Sequence, residues 1–547
     1  MELNNSQYVL DPRTWIMYYE NLANDKHHNS YLNNSYRRTI QSGGSLTNSA
    51  ASFMEPITLP QSKPHAQSPI KLVTHAQQQV ENAKSEISRA VKKIKRKRGK
   101  LQNIKFKMAK INPETFHELQ PSQLSLFNLP GHQTAVTRIT YEHIRPAATF
   151  TKTSPIEFHI SGGTEYLDLS KSTMHVRLRL KRGDGTIADS SDVNCGPVNY
   201  VLHALFNQID VLIQNKIVTS STGFYPYKAY MQTLLKYGKE AKESQLSSQL
   251  WIDDHQGTLD DADCNTGSNL GLYRRTAYIK NGKTVDLEGN IFHPLFSMNR
   301  YILNQVGVTV KFYRSRPEFY LMSVDEDADY YLEIEDMYLS IAKIHVHPGI
   351  VYGHDSILRT VNAKYPIVQN DVRTISLPAG QISFNFNNIF QNNRPNKVLI
   401  AFTGSQNIAG DYSLCPWTFK HCHLSEINLK VEGVPVSGNP VRVKFDSSSG
   451  ESSIVAFRNL FEVAGKTLQD CGNGLNRDSF SEGYALYAFQ LEPIFEGLDY
   501  LTLKRNERVN LECTFDSPLT EPTTIIIYSE FSGYFEITQT RDIIIQE

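Results

Sequence analysis

The chain has 547 residues, of which 40% are hydrophobic and 20% are charged, a balance that predicts folded domains rather than a disordered polymer. No run of 18 apolar residues occurs, and the opening residues MELNNSQYVLDP lack the apolar stretch of a signal peptide. The sequence therefore predicts no membrane-spanning segment. The six cysteines lack CxxC spacing, which favours a reducing compartment and neither a disulfide framework nor a zinc site; they are Cys195, Cys264, Cys415, Cys422, Cys471 and Cys513.

The formal net charge of zero hides a basic N-terminal region and an acidic remainder. Residues 1–110 contain 18 lysines and arginines against 7 aspartates and glutamates, and the remaining residues contain 38 against 49. The excess peaks where seven of nine consecutive residues are basic: Lys92, Lys93, Lys95, Arg96, Lys97, Arg98 and Lys100. Such a segment can contact nucleic-acid phosphates or direct nuclear import, and a solvated charged tail is the third alternative.

The first part of the chain has a low-complexity composition rich in Asn, Ser, Tyr and His. One short helix is possible around Trp15 to Leu22. Between Thr74 and Ile94 apolar residues recur every three or four positions, which predicts an amphipathic helix near 75–94. Residues 1–107 are therefore predicted to form a basic, largely disordered arm that contains this helix.

From about Leu124 the pattern becomes that of a β-protein. Apolar and polar residues alternate in Ile156–Ile160, Met174–Lys181 and Val306–Phe312, as in strands with one buried face. A helix is predicted to begin at Pro226 and end near Gly238, followed by a polar helix from Lys239 to Leu250. These helices are interpreted as a loop that decorates a β-scaffold.

Two further features of the first half are a turn signal and a long strand. Asn281-Gly282 lies between TAYIK and KTVDL and predicts a β-hairpin, because both residues accept positive φ. Tyr330 to Val346 is predicted to be a long strand broken at Glu335-Asp336.

The strand pattern lapses between His347 and Pro366, where a short helix is predicted, and then resumes. Strands are expected at Val398–Phe402, Ile427–Val431, Val509–Phe515 and Thr524–Tyr528. Many short antiparallel strands with long loops favour two consecutive jelly rolls. The predicted domains are residues 124–346 and 371–547, with a linker at 347–370.

Catalytic motifs are weak or missing in the sequence. Neither GxSxG nor HExxH occurs, and Gly465-Lys466-Thr467 lacks the first glycine of a phosphate loop. His345 and His347 would share one strand face without a nearby carboxylate. His421 and His423, with Glu426, come closer to a set of metal ligands. The acidic loop of Asp260, Asp261 and Asp263 lacks the glycine and final glutamate of an EF-hand, so a solvated loop is favoured.

Several long segments resemble one known family. They are GPVNYVLHALFNQIDVLIQNKIVTSSTGFYPYKAYMQTLLKYGKEAKESQL (Gly196 to Leu246), RYILNQVGVTVKFYRS (Arg300 to Ser315) and LFEVAGKTLQDCGNGLNRDSFSEGYALYAFQL (Leu460 to Leu491). The chain from about Leu124 to Glu547 is similar throughout to the major capsid protein of Maverick/Polinton elements and adintoviruses. Residues 1–107 depart from that family's pattern.

The resemblance implies an all-β fold of two tandem jelly-roll β-sandwiches, the double jelly roll, with helical insertions. It implies a structural protein without catalytic residues, cofactor or metal, which forms homotrimers, pseudo-hexameric capsomers and an icosahedral shell around double-stranded DNA. Neighbouring capsomers, penton proteins and minor capsid proteins would be its partners. The expected location is the virion capsid, with assembly in the host nucleus or cytoplasm. Tyr225 to Trp251 and Asp253 to Leu272 would form towers or intersubunit contacts.

Two other functions stay open on the residues alone. One is a two-domain β-sandwich metalloenzyme or lectin of cupin type, which would use the histidine pairs. The other is a DNA-binding architectural protein that would use the basic arm.

Overall fold

The computed structural model describes residues 131–151, 154–190, 193–219, 223–445, 453–493 and 500–546, with four single residues between 123 and 129. The arm at 1–107, with its amphipathic helix near 75–94 and the short helix at Trp15 to Leu22, lies outside these residues. Residues 134–547 belong to one structural unit, which contains all of the strands that follow.

The strands up to Val346 build the first roll, which consists of two facing antiparallel sheets. One sheet has the order β1-β10-β3-β7, the other has the order β2-β8-β5-β6, and β4 pairs with β9. These strands are β1 (Val136–Ile144), β2 (Ile156–Ile160), β3 (Tyr166–Arg182), β4 (Cys195–Pro197), β5 (Phe206–Ile213), β6 (Lys216–Ile217), β7 (Thr284–Asn290), β8 (Val308–Arg314), β9 (Leu321–Ser323) and β10 (Tyr330–Val346).

The remaining strands build the second roll with the same order of strands. Its sheets are β11-β19-β13-β17, with β20 beside β19, and β12-β18-β14-β15, with β16 beside β14. These strands are β11 (Ala363–Leu377), β12 (Ser383–Phe386), β13 (Lys397–Gly404), β14 (Leu424–Val431), β15 (Val434–Pro435), β16 (Val441–Arg442), β17 (Leu486–Gln490), β18 (Val509–Phe515), β19 (Thr523–Ile537) and β20 (Ile543–Gln546). Two such double-sheet rolls in tandem confirm the predicted fold class.

Helices occupy the connections between strands. They are α1 (Val201–Ala204), α2 (Tyr225–Lys236), α3 (Lys239–Glu243), α4 (Leu270–Ile279), α5 (Pro317–Tyr320), α6 (Pro348–Leu358), α7 (Ser405–Ala409), α8 (Ile454–Val463) and α9 (Arg477–Ser481), with 3₁₀ turns at Gln245–Gln249, Lys280–Gly282 and Pro294–Ser297. Helix α2 begins at Tyr225, one residue before the predicted start at Pro226, and the helix predicted in the linker is confirmed by α6. The polar helix predicted for Lys239 to Leu250 is split into α3 and a 3₁₀ turn.

The hydrophobic period explains which strand faces are buried. In β3, Met174, Val176 and Leu178 are fully buried, while the residues between them line a wet face, as predicted. In β13 both faces are buried, because Val398 packs into the core of the second roll and Leu399 packs into the core between the rolls. A strand covered on both faces has a continuous apolar sequence.

Two of these predictions need correction. The Asn281-Gly282 hairpin is wrong, because TAYIK forms the end of α4 and only β7 follows as a strand. Both residues do have the expected positive φ, of 62° and 66°. The backbone conformation of the two residues was therefore predicted correctly, but the element before them is a helix and not a strand. The strand from Tyr330 to Val346 is continuous, and the irregularity at Glu335-Asp336 is a shift of register against β3.

Candidate assembly site at the junction of the two rolls

Helix α2 of the first roll is buried between the rolls. Nine of its twelve residues are buried, including Lys228 and Thr233. A helix that is covered on all sides belongs to a core rather than to a surface loop. The expectation that Tyr225 to Trp251 forms a tower or an intersubunit contact is therefore wrong for α2.

The side chain of Tyr230 joins the two rolls in an aromatic stack. Its ring lies parallel to the indole of Trp417 in the second roll, at a centroid distance of 4.3 Å and an angle of 4°. It also stacks on Trp251 of the first roll, at 5.2 Å and 21°. Tyr227 meets Trp417 edge-on at 5.4 Å. Large aromatic rings bury much apolar surface with little loss of conformational entropy, so this stack stabilises the junction.

Hydrogen bonds also cross the junction. The indole N–H of Trp417 donates to the carbonyl oxygen of Asn199 at 2.8 Å. The side-chain amide of Gln232 donates to the hydroxyl oxygen of Tyr528 at 2.8 Å. Because buried polar groups are costly when they lack partners, these bonds fix the relative position of the rolls.

Asp260 acts as a clasp between the rolls. One carboxylate oxygen accepts hydrogen bonds from the backbone N–H of Cys415 at 2.9 Å and the hydroxyl of Thr418 at 2.8 Å. The amide of Asn407 donates to the same oxygen at 3.4 Å. All three donors belong to the second roll, although Asp260 lies in a loop of the first. Hydrogen bonds to a charged acceptor are stronger than neutral ones, so the loop has a structural role.

The other two aspartates of the acidic loop bind the loop itself. Asp261 accepts from the backbone N–H of Ser268 at 2.6 Å and from that of Asp263 at 3.1 Å. Asp263 accepts from Thr266 and from the side chain of Asn194, and these hydrogen bonds hold the pKa of its carboxyl well below the usual range. The carboxylates thus serve as turn acceptors, and the loop is ordered rather than merely solvated.

Two buried lysines at the junction could not be found from the sequence. Burial lowers the pKa of Lys228 to about 7, while Asp371 and Glu530 of the second roll act in the opposite direction. Burial likewise lowers the pKa of Lys242 to about 8. The ammonium of Lys242 donates to the carbonyl oxygen of Asn473 at 2.7 Å. No periodicity marks a lysine that is buried by residues distant in sequence.

The histidine pair of the second roll lines an open cavity of about 370 Å³. The rings of His421 and His423 meet edge-on at 4.7 Å, and His421 stacks on Phe445 at 4.4 Å. Burial, and then His423, lowers the pKa of His421 to about 4. Glu426 forms an ion pair with Arg442 at 3.5 Å. His421 is therefore packed into its surroundings, His423 is exposed, and the predicted third ligand is engaged with Arg442.

His345 and His347 lie in different elements. His345 is in β10, where its Nε2 is 3.1 Å from the hydroxyl oxygen of Thr140. His347 follows the strand and caps α6, since its Nδ1 accepts from the backbone N–H of Gly349 at 3.1 Å. The expectation that the two rings share one strand face is wrong, because β10 ends at Val346.

The segment Gly465-Lys466-Thr467 ends helix α8. Gly465 has a φ of 66°, and its N–H donates to Glu462, while the N–H of Lys466 donates to Phe461. These two bonds define a Schellman motif, in which glycine takes the left-handed position. A phosphate loop would instead open a helix.

The basic residues Lys92, Lys93, Lys95, Arg96, Lys97, Arg98 and Lys100 lie outside the described residues. Cys513 is buried, and Cys471 is exposed. Within the described ranges, no three His, Cys, Asp or Glu side chains converge as metal ligands. None of the helices described here is long and apolar enough to span a bilayer.

Comparisons with known proteins bear on the fold. No protein-family model matches the chain. An uncharacterized protein of Caenorhabditis elegans is 21% identical over 430 residues, which cover 76% of this chain and 99% of that protein. A chain of the Sputnik virophage structure superposes with a TM-score of 0.52 at 14% identity, covering 80% of this chain and 94% of the other.

The Faustovirus major capsid protein superposes with a TM-score of 0.50 at 11% identity, covering 83% of this chain and 98% of the other. At such identities the likeness concerns the fold, and it extends over both rolls. The chain is therefore a double jelly-roll protein, and it shares this fold with the Faustovirus major capsid protein and the Sputnik virophage chain.

Proposed function

We propose that the chain is the major capsid protein of a virus-like element of the Maverick/Polinton or adintovirus type. Three copies form a trimer in which six rolls make a pseudo-hexameric capsomer. These capsomers, with penton and minor capsid proteins, tile an icosahedral shell around double-stranded DNA in the virion. The basic segment from Lys92 to Lys100 contacts that DNA or directs nuclear import.

The observation that carries the proposal is the pairing of two rolls of identical strand order through a buried junction. Stacked aromatic rings, the Asp260 clasp and the Trp417 hydrogen bond hold them as one rigid block. A block of two like modules can place six modules around a threefold axis with three chains. The superposition on a major capsid protein over both rolls supports this role.

The test is the mass and shape of the purified full-length chain. We expect sedimentation to give three times the chain mass, and negative-stain images to show particles with a six-sided outline. A monodisperse monomer at micromolar concentration would contradict the capsid function. Interfaces of this kind bury upwards of about 2,000 Å², so dissociation at that concentration is not expected.

Metal analysis of the same sample tests the cupin-type alternative. Stoichiometric zinc, iron or manganese that is lost in the His421→Ala variant would favour a metalloenzyme. Since the ring of His421 stacks on Phe445, the variant is also checked for unchanged thermal unfolding.

A further inference from the structure

The first strand of the first roll, β1, contains no buried residue. All nine of its residues are half-buried or exposed. Ile139 keeps 42% of its surface exposed, and Tyr141 keeps 58%. A strand at the edge of a sandwich ordinarily buries every second side chain against the core. β1 is held by its backbone pairing with β10, and its two end residues, Val136 and Ile144, pack against the core as partly buried side chains.

The second roll offers an internal comparison, because β11 has the same position in its sheet. Both strands are edges, and each pairs with a long strand of its roll, β10 or β19. Yet β11 has four buried residues, Tyr365, Ile367, Val372 and Leu377. The equivalent edge strand is thus partly buried in the second roll and exposed in the first.

The cover over β11 comes from the first roll. Tyr365, Ile367 and Val372 belong to the core cluster that is shared with the first roll. The hydroxyl of Tyr365 donates to the carbonyl oxygen of Tyr301 at 3.1 Å and accepts from the N–H of Leu303 at 3.2 Å. The contact between the rolls of one chain is therefore also a contact onto an edge strand.

We propose that β1 is covered by the second roll of another copy of this chain, in the way that the first roll covers β11. This inference rests on the proposed capsid function and names the surface through which the trimer closes. In a closed ring where first and second rolls alternate, each edge strand meets the roll before it. Half of these contacts lie within chains, and the other half are the contacts between chains.

The residues of β1 suit such an interface. Ile139 and Tyr141 are two positions apart and so lie on one face of the strand. Tyrosine and isoleucine supply the apolar centre, and tyrosine is among the residues that often dominate binding energy. Polar residues border them, since His143 follows on the same face of the strand and Arg138 and Glu142 lie on the opposite face, where Glu142 forms an ion pair with Lys343. An apolar centre with a polar rim is the usual anatomy of a protein–protein interface.

The experiment compares full-length variants by sedimentation equilibrium. The variant Ile139→Asp/Tyr141→Asp is expected to weaken the trimer by about tenfold or more, because each aspartate would be buried at the contact. Tyr273→Asp is the matched control, since Tyr273 is 53% exposed on α4 and lies on a different element. When wild type and both variants are all diluted to monomers, the three proteins should have the same thermal unfolding temperature, because the substituted side chains are exposed.

The outcomes separate this inference from the capsid function. If the β1 variant forms trimers as tightly as wild type, the inference is overturned and the capsid function stands. If the wild-type chain is a monomer, both are overturned.

A photo-crosslinking residue at position 141 then identifies the cover. The expected product is a covalent dimer whose linked peptide lies within residues 363–546 of the second chain. A crosslink within a single chain would give a product with the mass of one chain. That result would show that β1 is covered by its own chain and would overturn the inference.

Discussion

Tyr230 and Trp417 lie face to face across the junction, with their rings 4.3 Å apart and nearly parallel. One comes from a helix inserted in the first roll and the other from a loop of the second, so the stack can form only when the rolls are in register. The two rolls are therefore packed together at this junction and are not independent domains joined only by a linker. A block of this kind suits the proposed capsid function, in which each chain sets the spacing of its neighbours.

Removing the indole at the junction should be costly. Trp417 is fully buried, and replacing it with alanine removes the stack and leaves the carbonyl oxygen of Asn199 without its donor. We expect the Trp417→Ala variant to lose about 3–5 kcal/mol of unfolding free energy, as do other large-to-small changes in cores. Urea denaturation followed by circular dichroism measures this loss.

The matched control is Tyr352→Ala, which removes an aromatic ring that is 72% exposed on α6. A change within about 0.5 kcal/mol is expected there, as at other surface positions. An equal loss in both variants would mean that the junction adds no particular stability.

The buried lysine at the junction should make stability depend on pH. Lys228 has a pKa of about 7 in the folded chain, against about 10.4 for an unfolded lysine. Between these values the unfolded chain binds more protons, so stability rises with pH and is lowest below the folded pKa. Replacing Lys228 with methionine should remove this dependence and stabilise the protein near pH 7.

The measurement is the difference in unfolding free energy between wild type and the Lys228→Met variant from about pH 7 to about pH 9.5. The difference should shrink as the pH rises, by on the order of 3 kcal/mol over this window. Lys242, whose pKa is about 8, contributes equally to both proteins and cancels. A difference that stays constant with pH would show that Lys228 is not desolvated in solution.

Local patterns predicted most of the strands, whereas the junction could not be predicted. The alternation in β3 and the apolar run in β13 follow from which faces are covered, and that information lies within a few residues. Trp417 and Asn199 are 218 positions apart, so nothing near either residue indicates the contact. The same holds for Lys228 and Gln232 of α2, which are typical of an exposed helix although both face the second roll.

Asp260 shows the same limit in a polar residue. It stands beside Asp261 in the sequence, and the two look alike as members of an acidic loop. Their partners differ, since Asp260 binds the second roll and Asp261 binds its own loop. Only the tertiary structure shows that Asp260 binds the second roll while Asp261 stabilises a turn.

That difference gives a paired prediction for hydrogen exchange. In Asp260→Ala the backbone N–H of Cys415 loses its acceptor, so exchange should accelerate around residues 407–418 of the second roll. Unfolding free energy should fall by about 1.5–3 kcal/mol, the usual worth of a charged hydrogen bond. In Asp261→Ala faster exchange should stay within residues 261–268, where its hydrogen bonds lie. Equal exchange around 407–418 in both variants would contradict the clasp.

The basic segment makes the last prediction, which concerns DNA. Replacing Lys92, Lys93, Lys95, Arg96, Lys97, Arg98 and Lys100 with glutamine in the full-length chain removes seven cationic side chains. If they neutralise phosphates, the affinity for duplex DNA should fall, and the plot of log affinity against log salt should flatten by about 0.9 for each phosphate that is no longer neutralised. Fluorescence anisotropy over a series of salt concentrations measures both quantities.

The control keeps the charge by exchanging the five lysines of the segment for arginine, and it should bind DNA with an unchanged salt slope, because counterion release depends on charge rather than on residue type. Nuclear import is measured in parallel with a fluorescent fusion of each variant. A glutamine variant that binds DNA like wild type but no longer enters the nucleus would assign the segment to import. The remainder of the chain is acidic, with 38 basic against 49 acidic residues, so its net charge repels DNA. A loss of DNA affinity in the glutamine variant should therefore be visible in the full-length chain.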